Sequence, residues 1–151
     1  MPTATPEYSP GLAGVIAGIS KISDIDIEKS RLIYRGYDVH ELAEKGSFEE
    51  TAFLLLHGHL PTKGELADFN RTLAAERSVP DFVYQAMAVV PDNAHPMDQL
   101  KVGVQALAPS DPDYDADPLD HDANVRKAVR LTAKMGALVA NGWTSSSQTP
   151  S

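Results

Sequence analysis

The sequence predicts a mainly α-helical protein with a small β-hairpin near its N-terminus. Three helix-start signals lie between residues 38 and 65, separated by glycine and proline residues that end helices. β-branched residues, by contrast, are concentrated between residues 15 and 35, where they favour short extended segments.

Composition restricts the classes of function open to this chain. Its 151 residues are 42% hydrophobic and carry a formal net charge of −8, which suits one globular domain and opposes binding to a phosphate backbone. The absence of cysteine excludes a disulfide framework, a thiolate nucleophile and a cysteine-based zinc site. No apolar stretch approaches the roughly 20 residues that span a bilayer, and residues 1–10 do not resemble a secretory signal. We therefore expect a cytoplasmic protein that binds neither nucleic acid nor membrane.

The N-terminal part is predicted to be extended. Residues 1–10 contain three prolines and predict a flexible arm. Residues 11–26 are rich in glycine and isoleucine, and the polar turn 28–30 separates them from residues 31–35. This order predicts a small hairpin.

The signals for the first three helices are capping residues. A side chain that can cap a helix is followed three residues later by glutamate at Asp38, Ser47 and Thr62. Gly46 suits the end of the first helix, and Gly58 lies at the end of the second.

Prolines and an acidic stretch organise the remainder. Pro80 is predicted in the first turn of a fourth helix, and Pro96 opens a fifth over residues 96–107. Gly103 and Ala106 in that helix would allow a partner helix to approach closely. Residues 108–121 predict a loop that leads to a last helix at about 122–141, and the stretch 111–122 across this boundary holds six of the 21 acidic residues.

Three of the five histidines occur where chemistry could be expected. His57 and His59 at a helix end could face one ligand, but no third metal ligand is indicated, so a role at the helix C-terminus is favoured. His95 and Asp98 could form an acid/base pair. The structural interpretation is favoured here too: His95 caps the helix and Asp98 complements its dipole, since no nucleophile or anion-binding loop lies beside them. The residues thus predict no metal site and no catalytic residue.

Two basic groups admit both a functional and a structural interpretation. Arg31 and Arg35 would be neighbours on one strand face and could grip a phosphate, or they could simply be solvated. Arg126, Arg130 and Lys134 form a stripe at i, i+4 and i+8. Such a stripe is usually solvent-exposed, and the acidic loop before it could neutralise it.

Four motifs in order resemble one family. They are residues 10–15 (PGLAGV), 32–38 (LIYRGYD), 48–62 (FEETAFLLLHGHLPT) and 95–100 (HPMDQL). Together they resemble the bacterial citrate and 2-methylcitrate synthases, and the likeness runs from about residue 10 to residue 140.

The resemblance implies the helical N-terminal part of the citrate synthase large domain. In this family a dimeric, almost wholly helical enzyme condenses an acyl-CoA with oxaloacetate. Its catalytic set is two histidines and an aspartate in motifs of the later half, and neither histidine motif occurs here. No catalytic residue is therefore carried over. Arg35 is the one residue of this chain to which the resemblance assigns a role, as a contact to a phosphate of coenzyme A.

These inferences divide the chain into a flexible arm at 1–10, an incomplete citrate synthase-like helical region at 11–142 and a disordered tail at 143–151. We expect a truncated acyltransferase that is inactive alone and holds no cofactor, with acetyl-CoA or propionyl-CoA as the family substrate. The alternative is a non-catalytic helical interaction module that pairs with a full-length citrate synthase.

Self-association is also expected, through an apolar patch on helices 96–107 and 122–141, which the family uses around its dimer contact. The residues of this patch are Met97, Leu100, Val104, Val129, Leu138 and Val139.

Overall fold

A computed structural model of the chain describes residues 11, 14–16, 18–91 and 93–146, with side chains described as far as Asn141. The chain divides into two compact units, Met1–Ser47 and Phe48–Ser151. It is mainly helical, with one small antiparallel sheet in the first unit, as the sequence predicts. The arm predicted at residues 1–10 lies outside the described residues.

The sheet of the first unit has three strands in sequential order: β1 (Ser23–Asp26), β2 (Arg31–Tyr34) and β3 (Tyr37–Asp38). The antiparallel register pairs Ser23 with Tyr34, which confirms the predicted hairpin. The third strand was not predicted. It forms because Arg35 and Gly36 both adopt positive φ, 49° and 93°, as in the tight two-residue turns that suit the strand twist.

A short helix, α1 (Val39–Lys45), completes the first unit. The Asp38 carboxylate caps it by accepting the backbone N–H of His40 at 2.8 Å, which satisfies a donor that has no intrahelical partner. At the other end, the backbone N–H of Gly46 donates to the carbonyl of Leu42 at 2.9 Å. Both predicted ends of this helix are confirmed.

The second unit contains five helices in its described residues: α2 (Phe48–His57), α3 (Lys63–Ala75), α4 (Asp81–Ala88), α5 (Pro96–Leu107) and α6 (His121–Ser146). A 3-10 turn, Ala108–Ser110, follows α5. At the start of α3, Thr62 and Glu65 form the reciprocal capping box that their spacing predicts. Pro80 occupies the N-cap of α4 and not its first turn, so that prediction was one residue too far into the helix.

Two apolar cores hold these helices together, and α6 contributes to both. The first core is built by α4, α5 and α6 and contains Val79, Val83, Met87, Leu107 and Leu138. The second is built by α2, α3 and α6 and contains Phe53, Phe69, Leu73 and Val129. Burial of these side chains is the main force that keeps helices of this length folded.

Gly103 lets α5 approach its neighbours closely, as predicted, but both neighbours belong to the same chain. A Cβ at this position would lie 2.7 Å from Sδ of Met87 on α4 and 3.3 Å from Cδ2 of Leu138 on α6. Both distances are shorter than ordinary van der Waals contact, so only glycine fits without displacing its neighbours.

The apolar patch predicted for self-association is largely buried within the chain, so it is less exposed than the prediction required, and self-association stays a prediction. Leu138 is fully buried and Val129 is buried, because α6 packs along α5 and α3. Leu100 and Val104 are half-buried in the first core. Only Met97 and Val139 remain about half exposed.

The last helix is longer than the sequence indicates. It continues to Ser146, so the first four residues of the tail predicted as disordered at 143–151 are helical, whereas residues 147–151 lie outside the described residues. Serine and threonine cost only about 0.5 kcal/mol each in a helix, and no proline occurs between His121 and Pro150, so a helix started by tertiary packing can continue.

Candidate functional site

The densest polar cluster joins the acidic loop to α6. Arg126 donates from Nε and Nη2 to the two carboxylate oxygens of Asp113, at 3.0 and 2.7 Å. Arg130 makes the same fork to Asp111, at 2.8 and 2.7 Å, and reaches Asp113 at 2.5 Å. Paired donors of this kind fix both distance and orientation. The prediction that the loop neutralises the basic stripe is thus confirmed for these two arginines.

The charges in this cluster stabilise one another. Hydrogen bonds from Arg126, and then from Arg130, hold the pKa of Asp113 well below its usual range. Hydrogen bonding to Asp111, and then to Asp113, raises the pKa of Arg130. Only 14% of the Arg130 side chain is exposed against 52% of Arg126, so Arg130 is the better shielded from solvent.

Lys134, the third cation of the stripe, has a different partner. Its ammonium donates to the backbone carbonyl of Glu76 at 2.6 Å and to its carboxylate at 3.3 Å. Glu76 follows α3 and is 58 positions away in the sequence, so no local spacing could have revealed the contact. All three cations are engaged within the chain.

The paired histidines have structural partners. The His57 ring packs on Phe53 with centroids 4.2 Å apart, and burial lowers its pKa. His59 lies 3.4 Å from Glu65 and edge-on to Phe53. In the part of the chain that the structure describes, no group of three or more metal-binding side chains converges.

The pair His95 and Asp98 does not act together. Nδ1 of His95 accepts the backbone N–H of Met97 at 3.2 Å and so caps α5, with Pro96 in the first helical position. Asp98 instead binds Lys101 at 3.0 Å. The structural interpretation of both residues is confirmed.

Arg31 and Arg35 do not share a strand face. Arg31 donates to Asp38 at 2.7 Å, whereas Arg35 lies in the turn after β2 with its backbone N–H donating to the carbonyl of Ile22 at 2.9 Å. The left-handed conformation of Arg35 breaks the alternation that the prediction required. The half-buried Arg35 side chain therefore does not form a shared phosphate site with Arg31 on one strand face.

Concave surfaces of the second unit provide the remaining candidate sites. A cavity of about 420 Å³ lies between the end of α5, the acidic loop and α6. A wider groove of about 1030 Å³ runs along α6 beside Phe48 and Leu73. No local sequence pattern marks either of them, because each is formed by segments that are distant in the sequence.

The fold and its polar clusters define a mainly helical protein whose charged side chains, where described, mostly bind one another. None of its described helices has both the length and the hydropathy needed to cross a bilayer. Residues 11–151 match a family model described as "Citrate synthase, C-terminal domain". The chain belongs to the citrate synthase family.

Individual relatives agree with this assignment. The chain is 42% identical over 135 residues to the 2-methylcitrate synthase of Mycobacterium tuberculosis (strain Erdman), covering 89% of this chain and 33% of that protein. It is 40% identical over 136 residues to the citrate/2-methylcitrate synthase of Bacillus subtilis, covering 90% and 36%. A solved ternary complex of citrate synthase from Thermoplasma acidophilum with carboxymethyl coenzyme A and oxaloacetate superposes with a TM-score of 0.84 at 28% identity, over 97% of this chain and 38% of that one. The chain thus spans about a third of the length of its relatives.

Proposed function

We propose that this chain supplies the N-terminal helical part of a citrate or 2-methylcitrate synthase and does not catalyse the condensation by itself. The match of residues 11–151 to the family, together with coverage of about a third of each relative, carries this proposal. The activity is that of an acyltransferase that joins acetyl-CoA or propionyl-CoA to oxaloacetate.

The chemistry of the condensation supports inactivity of the chain alone. Forming the enol of a thioester requires a carboxylate base at the α-carbon and a donor on the thioester oxygen, while a further donor polarises the ketone. These groups must converge within hydrogen-bond distance. In the described residues, His57 is stacked on Phe53, His59 faces Glu65 and His95 caps α5.

Arg35 is the residue proposed to contact a phosphate of coenzyme A. It is half-buried in the turn between β2 and β3, and the Thermoplasma acidophilum relative binds a coenzyme A analogue. A planar guanidinium suits a phosphate because it can donate two parallel hydrogen bonds.

Complementation provides the test of this proposal. The chain is mixed with the remaining two thirds of the Mycobacterium tuberculosis relative, and release of free coenzyme A from propionyl-CoA and oxaloacetate is followed. We expect no turnover from either part and measurable turnover from the mixture. Absence of turnover in a mixture shown to be associated would contradict the proposal.

The same mixture tests Arg35. Arg35→Gln should raise the KM for propionyl-CoA about tenfold with little change in kcat. Arg31→Gln is the matched control, because Arg31 binds Asp38 within the sheet. An unchanged KM in Arg35→Gln would show that Arg35 does not contact the coenzyme.

A second candidate function is a non-catalytic module that pairs with a full-length citrate synthase or with itself. The groove along α6 favours it, since Phe48 and Val139 at its edge are 68% and 54% exposed. Sedimentation velocity of the chain with and without a full-length homologue tests this candidate, and two independently sedimenting species would refute pairing. A cytoplasmic location remains part of both proposals and accords with the absence of cysteine.

A further inference from the structure

The cavity between α5, the acidic loop and α6 has the dimensions of a small-molecule site. Its volume of about 420 Å³ falls in the range of typical ligand pockets, roughly 300–1,000 Å³. Its walls are largely apolar and include Pro80, Val104, Leu107 and Leu131. Replacing water at an apolar wall with an apolar ligand lowers the free energy of the system.

The charged residues that line the cavity do not cancel. They are three cations and two carboxylates: Lys127, Arg130, Lys134, Glu76 and Asp111. Arg130 binds Asp111 and Lys134 binds Glu76, which leaves Lys127. In the described part of the chain no ion pair or hydrogen bond involves the Lys127 side chain, which is half-buried. The side chains that line the cavity thus include one more cation than carboxylate, and the cation without a carboxylate partner is Lys127.

The walls of the cavity are held in place before any ligand arrives. The loop that carries Asp111 is fixed to α6 by the two-pronged contacts of Arg130. The segment after α3 is fixed to the same helix by Lys134 and Glu76. A site that is already formed loses less conformational entropy on binding than one that must be ordered by its ligand.

We propose that this cavity binds a small monocarboxylic acid with an aromatic or branched apolar body. The carboxylate lies at the Lys127 ammonium, and the body packs between Val104, Leu107 and Leu131. A phosphomonoester is disfavoured because it brings nearly two negative charges to a site with one spare cation and two carboxylates. A neutral ligand would bury the lysine without a partner, which is unfavourable.

This site is separate from Arg35, the residue proposed above to contact coenzyme A, because every residue that lines it lies in Phe48–Ser151. Binding can therefore be measured on the chain alone. The probes are 4-phenylbutyrate and its neutral amide, which share an apolar body and differ in charge. Titrations followed by ¹H–¹⁵N correlation spectra report affinity and location together.

We expect the carboxylate to bind at least about tenfold more tightly than the amide, with shifts centred on residues 104–114 and 127–134. Lys127→Met keeps the apolar stem and should abolish the preference for the acid. Lys101→Met is the matched control, since Lys101 lies on α5 outside the cavity lining and should leave the preference unchanged. Leu131→Trp, at a side chain that is 39% exposed, should fill the cavity and weaken both probes without loss of helical circular dichroism.

Three results would overturn the proposal. The first is equal affinity for acid and amide, and the second is an unchanged preference in a folded Lys127→Met variant. The third is the absence of any shift at about 5 mM of either probe, a concentration well above the dissociation constant expected of a specific site for this class of ligand.

Discussion

Two glycines of the second unit should respond in opposite directions to the same substitution. Gly103 and Gly136 both lie inside helices, where alanine is favoured over glycine by about 1 kcal/mol. At Gly136 a new Cβ meets no atom within 4 Å, so this gain should be realised in full. At Gly103 the same Cβ would lie 2.7 Å from Sδ of Met87 and 3.3 Å from the fully buried Leu138.

The magnitude at Gly103 follows from the two opposing terms. Inserting a methyl group into a close-packed core costs about 1–3 kcal/mol, which exceeds the helix-propensity gain of about 1 kcal/mol. We expect Gly103→Ala to lower the free energy of unfolding by about 1 kcal/mol and Gly136→Ala to raise it by up to about 1 kcal/mol. Urea denaturation followed by circular dichroism at 222 nm measures both.

The control is a second substitution that removes the contact between the new methyl group at position 103 and Met87. Replacing Met87 by alanine removes the sulfur atom that the new methyl group would meet, so the cost of Gly103→Ala should shrink or change sign in that background. If Gly103→Ala stabilises the chain as much as Gly136→Ala does, the close packing of α5 against α4 and α6 is not as described.

Two further predictions concern charge. Arg130→Met should cost about 1–3 kcal/mol of unfolding free energy because it leaves Asp111 without its guanidinium partner and removes one of the two arginines that bind Asp113. Arg126→Met, at a side chain that is 52% exposed, should cost less, and equal costs in chemical denaturation would contradict this ranking. Hydrogen bonds from the backbone N–H of Thr62, then from its side chain and from His59, lower the pKa of Glu65 from 4.5 to about 2. A depressed carboxylate contributes stability above its unfolded pKa and loses it as pH falls, so Glu65→Gln should flatten the decline in thermal stability between pH 4.5 and 2. An unchanged acid limb would refute this role.

Local signals predicted the helices well because their causes are local. Asp38, Thr62 and His95 each accept a backbone N–H two or three residues ahead, a contact that sequence spacing alone specifies. The second helix begins at Phe48, one residue after the predicted cap Ser47. The turn at Arg35 was missed since a left-handed arginine is uncommon and carries no spacing signal.

Contacts between distant segments account for the features that the sequence did not predict. The negative charge of the acidic loop indicated that it would neutralise the basic side chains of α6. It did not indicate that Arg130 would bind two aspartates or that Lys134 would bind Glu76. The apolar patch was assigned to self-association from the family resemblance, since amphipathic periodicity indicates which face is apolar and not what covers it. Leu138 is covered by α4 and α5 of its own chain.

Inactivity of the chain by itself is tested by the release of free thiol from acetyl-CoA and propionyl-CoA in the presence of oxaloacetate, measured on the purified chain alone. We expect a rate indistinguishable from the enzyme-free background with both substrates, since the described residues do not assemble a base and two polarising donors. Turnover that scales with the concentration of the chain, and that survives removal of host citrate synthase, would contradict it.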